Sequence, residues 1–213
     1  LPSFADRPAF IAWGLRDICF DYPFLRTFWQ ALPDAQVMAF EDANHYVLED
    51  KHEVIVPAVR ESYAASADQW AFASRREPLI YTMASGSNYG TAYSFAICLL
   101  QEMQWVHSAA IHAGEYFHGP FEVTDVDVPF IALLGLDETR PIEQRAVNFL
   151  TQHSDKALVI DAEDFGLDVV APEVRGIVAH LLFNIALRVH ADALADHRGH
   201  PLSVRRYMWR MEY

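Results

Sequence analysis

Three stretches of this chain carry residues able to do chemistry. The first is Ser85-Gly-Ser-Asn-Tyr-Gly90, between a predicted strand and a predicted long helix. Hydroxyls and free N–H groups at a helix start attract an anion such as a phosphate, with Ser85, Ser87 and Asn88 as the expected contacts. The same residues also build a plain strand-to-helix turn. The second stretch runs from Gln101 to Glu122 and holds Glu102, His107, His112, Glu115 and His118. Taken singly, Glu102 reads as a solvated helix residue and His118 as a cap before Gly119-Pro120. The spacing of His107, His112, Glu115 and His118 suits neither one helix face nor a zinc hairpin, so no metal site is expected. Gln101, Trp105 and the other aromatics read as core or interface. The third stretch is the tail, His197–Tyr213, with Arg198, Arg205, Arg206 and Arg210. Arg205 and Arg206 either supply positive charge over a phosphate or form a solvated basic tail.

These residues must be positioned by short apolar runs alternating with amphipathic stretches, the pattern of an α/β protein. Strands are predicted at Pro8–Gly14, Ala35–Phe40, Pro78–Ala84, Ser108–Ala113, Pro129–Gly135 and Ala157–Asp161. Helices are predicted at Tyr22–Ala31, Glu49–Tyr63, Thr91–Val106, Ile142–His153 and Glu173–Ala195, the last with Pro172 at its start, where a missing N–H costs little. Ala64–Arg76 is small, polar and helix-compatible, and reads as a joining helix or linker. The tail reads as irregular.

The chain has 213 residues, 52% of them hydrophobic, with Lys+Arg 16 against Asp+Glu 29 and a net charge of −13. A packed core is expected and global disorder is not. The acidic balance argues against nucleic acid and against an anionic membrane surface. It leaves room for a small phosphate ligand, which needs only a few local donors. Cys19 and Cys98 suggest no disulfide framework, and a reduced cytoplasmic setting is the expectation. The apolar stretch Ile177–Ala195 is interrupted by His180, Asn184, Arg188 and His190, so it reads as a core-facing helix rather than a membrane span. No signal peptide is visible. Without an initiator Met the chain is expected to be a fragment or a processed product.

Two family resemblances follow. The run Gln101-Glu-Met-Gln-Trp-Val-His107-Ser-Ala-Ala-Ile-His112-Ala-Gly-Glu115-Tyr-Phe-His118-Gly-Pro, with the tail Arg205-Arg-Tyr-Met-Trp-Arg-Met-Glu-Tyr213, resembles the SIS (sugar isomerase) family. Within that family it looks like the second domain of glucosamine-6-phosphate synthase and, more closely, of the fructosamine-6-phosphate deglycases. The resemblance covers residues 78–213. It implies a three-layer αβα fold with a parallel, flavodoxin-like sheet. It also implies a homodimer whose sites mix groups from two subunits, and a sugar-phosphate ligand. In that family a Glu near the end of the long helix and a His 16 residues later are the acid/base pair; Glu102 and His118 match these positions. The chemistry is ring opening, movement of a proton between C1 and C2, and release of an amine. No metal or organic cofactor is required.

The second resemblance covers about residues 4–64. A strand followed by Gly14-Leu-Arg-Asp17, then a helix, a strand and Glu41-Asp-Ala-Asn-His45-Tyr, looks like the C-terminal part of the α/β-hydrolase family. There an acid orients a His, and Asp17 and His45 match those places. The nucleophile half of that fold belongs upstream of these residues and is expected to be missing from this chain. Using Ser85 or Ser87 would need a permuted order. The expected organisation is therefore a mosaic: 1–64 hydrolase-like, 65–77 joining, 78–213 SIS. Two hydrolase-type βα units would extend or flank the SIS sheet. The acidic charge is spread over both parts, −5 before residue 65 (5 basic, 10 acidic) and −8 after it (11 basic, 19 acidic). A non-catalytic scaffold is the remaining alternative.

Overall fold

The computed structural model describes residues 10–16, 22–31, 36–41, 52–165, 167 and 172–212. Backbone contacts divide the chain into Leu1–Ala58 and Val59–Tyr213. In the first unit, β1 (Phe10–Gly14) and β2 (Gln36–Phe40) pair in parallel, joined through α1 (Tyr22–Ala31). Leu25 of α1 is buried, while Tyr22 and Trp29 face solvent. The two strands form a sheet of their own, so among the described residues they do not extend the larger one. Asp17 and His45 lie outside the described residues.

Helix α2 (His52–Ser74) is continuous. The Ala-rich stretch read as a joining helix or linker continues the helix before it, because alanine loses no side-chain entropy in a helix and the stretch holds no Gly or Pro to break it. There follow β3 (Leu79–Ala84), a 3-10 turn (Gly86–Asn88), α3 (Tyr89–Ser94), a π-helical segment (Phe95–Met103) and β4 (His107–His112). Then come two 3-10 turns (Tyr116–His118 and Pro120–Val123), β5 (Phe130–Leu134), α4 (Arg140–His153), β6 (Ala157–Asp161), a 3-10 turn (Ala162–Phe165) and α5 (Pro172–Arg198). Helix α5 stops at Gly199, whose φ of +60° is the left-handed ending that glycine permits; His200 N–H then donates to Ala195 O at 2.9 Å.

All strands of the second sheet are parallel, in the order β4-β3-β5-β6. The chain moves outward one way from β3 to β4 and the other way from β5 to β6. The switch point is therefore the β3/β5 pair, outside whose carboxyl ends ligands commonly bind. Alternate residues face opposite sides. Ile80, Ala84, Ile131 and Leu133 join α2, the π segment and α5 in one core, with Trp70, Leu100 and Phe183. Met83, Phe130 and Ala132 join α4 and the turn after β4 in another, with Tyr116 and Leu150. This is the three-layer αβα arrangement expected from the sequence. Residues 175–198 of α5 are long and apolar enough to cross a membrane by length and composition. In the fold its Ala179, Phe183, Leu187 and Leu194 pack into the first core.

Candidate functional site

A cleft of about 1000 Å³ opens where the π segment meets β4. It is lined by Gln101, Glu102, Trp105, Val106, His107 and, from the tail, Arg205–Met208 and Met211. The wide turn of the π segment ends through bonds from Gln104 N–H to Leu99 O (3.0 Å) and Val106 N–H to Leu100 O (2.9 Å). Such bulges recur at functional sites. Trp105, just after it, has a positive φ of 55°, an unusual conformation for a bulky residue. Its indole packs 4.4 Å from the His200 ring, and the Arg206 guanidinium stacks on it at 4.2 Å.

Glu102 is half-buried, with Oε1 2.9 Å from Arg205 Nε. Among the described residues, no carboxylate pairs with Arg206, which is exposed and turns one face to Trp105. Two arginines and one glutamate give the cleft a surplus positive charge in an acidic chain. It can therefore hold an anionic ligand beside a carboxylate able to move protons.

His118 is exposed, in the 3-10 turn Tyr116–His118. Tyr116 of that turn packs in the core on the α4 side, whereas the Glu102 segment packs, through Phe95 and Leu100, in the core on the other side. Glu102 and His118 are thus carried on opposite faces of the sheet. His107 opens β4 and His112 closes it. His112 Nδ1 accepts the Gly114 N–H at 3.1 Å. Among the described residues, no group of His, Cys, Asp and Glu has the arrangement of a metal site.

The Ser-rich turn, which the sequence reads either as an anion site or as a plain strand-to-helix turn, sits at the switch point, and its donors serve carboxylates. Ser85 is fully buried, and its N–H and Oγ–H donate to Glu143 Oε1 at 2.8 and 2.9 Å. Gly135 N–H donates to the other oxygen at 2.6 Å. Ser87 N–H and Oγ–H donate to Asp137 Oδ2 at 3.1 and 2.7 Å. Asn88 is buried, its amide without a hydrogen-bond partner among the described residues. Burial pushes the Glu143 carboxyl above its ordinary range, against the hydrogen bonds from Gly135 and Ser85. Burial also pushes Asp137 upward, but four hydrogen bonds from Thr139 and Ser87 outweigh it and hold that carboxyl low. An anion placed at Ser85, Ser87 and Asn88 would meet both carboxylates. Arg206, the other residue expected to meet an anion, lies in the cleft wall with its guanidinium over Trp105. Sequence reading assigned Trp105 and Gln101 to core or interface; the fold puts both in the cleft wall.

No family model matches the chain. It is 53% identical over 164 residues to the fructosamine deglycase FrlB of Bacillus subtilis, covering 77% of this chain and 50% of that protein. A 60-residue segment is 82% identical to a cis-3-alkyl-4-alkyloxetan-2-one decarboxylase of Xanthomonas campestris, covering 28% of this chain and 20% of that enzyme. Among solved structures, one assigned as a phosphosugar isomerase, also from B. subtilis, superposes with a TM-score of 0.75 at 37% identity, covering 96% of this chain and 77% of that one. The chain spans half the length or less of these curated relatives.

Proposed function

This chain belongs to the SIS (sugar isomerase) family of phosphosugar proteins, and on that premise we propose that it acts on a fructosamine 6-phosphate by acid/base chemistry. The observation that carries the reading is Glu102, a carboxylate held in a cleft of about 1000 Å³ beside a surplus of positive charge. Glu102 takes a proton from C1 of the open-chain ketosamine and returns it at C2. The resulting C1 imine is hydrolysed, releasing glucose 6-phosphate and an amine. His118 is the second acid/base group. Arg206, stacked on Trp105, supplies the charge for an anionic group of the substrate. The segments that carry Glu102 and His118 pack into different cores on either side of one sheet, which supports a pair supplied by two copies in a homodimer. Glucose 6-phosphate release from a phosphorylated Amadori substrate, lost by at least about 10²-fold in Glu102→Gln, is the expected result. No release at high protein concentration would overturn the assignment.

The 82% identity of a 60-residue segment to a decarboxylase favours a second reading for the N-terminal part: a hydrolase-type segment with Asp17 and His45 as acid and base, joined to the SIS part as a mosaic. Aryl-ester hydrolysis lost in His45→Ala is its expected signature. A chain in which a fluorophosphonate labels no serine would exclude a serine-dependent hydrolase.

A further inference from the structure

The two adjacent arginines of the cleft have different surroundings. Arg206 is exposed and stacks on Trp105. The side chain of Arg205 is only 8% exposed, and its Nε lies 2.9 Å from Glu102 Oε1, a close ion pair rather than an aligned hydrogen bond. Its Nη1 donates to the carbonyls of Leu202 at 2.6 Å and Val204 at 2.9 Å. Its guanidinium carbon lies 5.5 Å from the Trp209 ring centre. One side chain therefore holds the acid and the local fold of the tail at the same time. A guanidinium can do this because its N–H groups point several ways from a rigid plane; an ammonium is a single point of charge.

We propose that Arg205 is a positioning residue for Glu102. It sets the direction of the carboxylate in the cleft and makes that direction depend on the folded tail. Glu102 needs such a hold. It is next to last in the π segment, has three side-chain torsions, and keeps 27% of its side-chain surface exposed. His107, Arg206 and Tyr207 are the other titratable groups facing the same cleft. Arg205 alone among them forms an ion pair with Glu102. The inference rests on the acid/base reading above for its catalytic consequence, though not for the contact itself.

The test compares wild type, Arg205→Ala and Arg205→Lys in glucose 6-phosphate release, each alone and on the Glu102→Gln background. A misplaced catalytic group costs up to about 10²-fold, so Arg205→Ala should lower kcat by about 10- to 100-fold with KM changed less than about threefold. Arg205→Lys should recover part of the loss. Arg205→Ala should add nothing to Glu102→Gln. A loss confined to KM, an unchanged kcat, or the same fractional loss on the Glu102→Gln background would overturn the assignment. If wild type releases no product, the deglycase reading fails and the contact is judged by NMR. The Arg205 Nε–Hε signal should move in Glu102→Gln and stay in place in Glu163→Gln, which alters the partner of Arg140 instead. A signal blind to Glu102→Gln would overturn the proposal.

Discussion

At Glu143 the side chain is 1% exposed yet carries an ionisable group. The fold tolerates it because Ser85 and Gly135 supply three donors. Removing the acceptor in Glu143→Ala orphans two backbone N–H groups and should cost about 2–3 kcal/mol in urea melts. The pH dependence has a definite sign. The native carboxyl lies above the ordinary value of 4.5, so the protonated form is favoured by folding. The stability this confers is complete below the unfolded value and is lost as pH climbs through the raised native one. Wild type should therefore lose stability relative to Glu143→Gln as pH rises above the ordinary carboxyl value of 4.5. A relative gain over that range would contradict the raised carboxyl. Residue identity alone marks Ser85 as a donor. That its acceptor is a glutamate 58 positions away is a fact of the fold.

At the scale of elements, each strand appears within one or two residues of where apolar runs place it, and a strand covered on both faces is apolar throughout. β5, Phe-Ile-Ala-Leu-Leu, is buried at every position. The long helix before β4 is legible as helix, but its π geometry is not: the apolar residues of Phe95–Met103 suit either winding, and packing selects one. The turn after β3 shows a similar limit. Gly86 has φ +51°, and a Cβ there would lie 2.5 Å from Asp137 Oδ2 and 2.6 Å from Thr139 Oγ1. Gly86→Ala should cost about 1–3 kcal/mol, read as a lower melting temperature, through backbone strain and displacement of the Asp137 carboxylate. An unchanged melting temperature would show that the turn relaxes freely.

At the scale of the whole molecule, the placement of Glu102 and His118 on opposite faces makes a prediction about assembly. Glu102→Gln and His118→Ala should each be inactive alone. Mixed and allowed to exchange subunits, they should recover about a quarter of wild-type activity, since half the dimers are mixed and each mixed dimer has one intact site. A mixture that stays inactive would place both groups in one subunit's site. What the sequence determined by itself is local: the α/β pattern, the strand and helix positions, the acidic charge, and the motif that marks Glu102 and His118. Hydrophobic period, turn chemistry and residue type act over a few neighbours, so they can be read along the chain. Only the tertiary structure decided that Arg205 faces Glu102, that Arg206 lacks a carboxylate partner among the described residues, and that the Ser-rich turn is closed by Asp137 and Glu143. Those pairings join residues far apart in sequence, and the order β4-β3-β5-β6 that brings them together is set by packing both faces of one sheet rather than by any local signal.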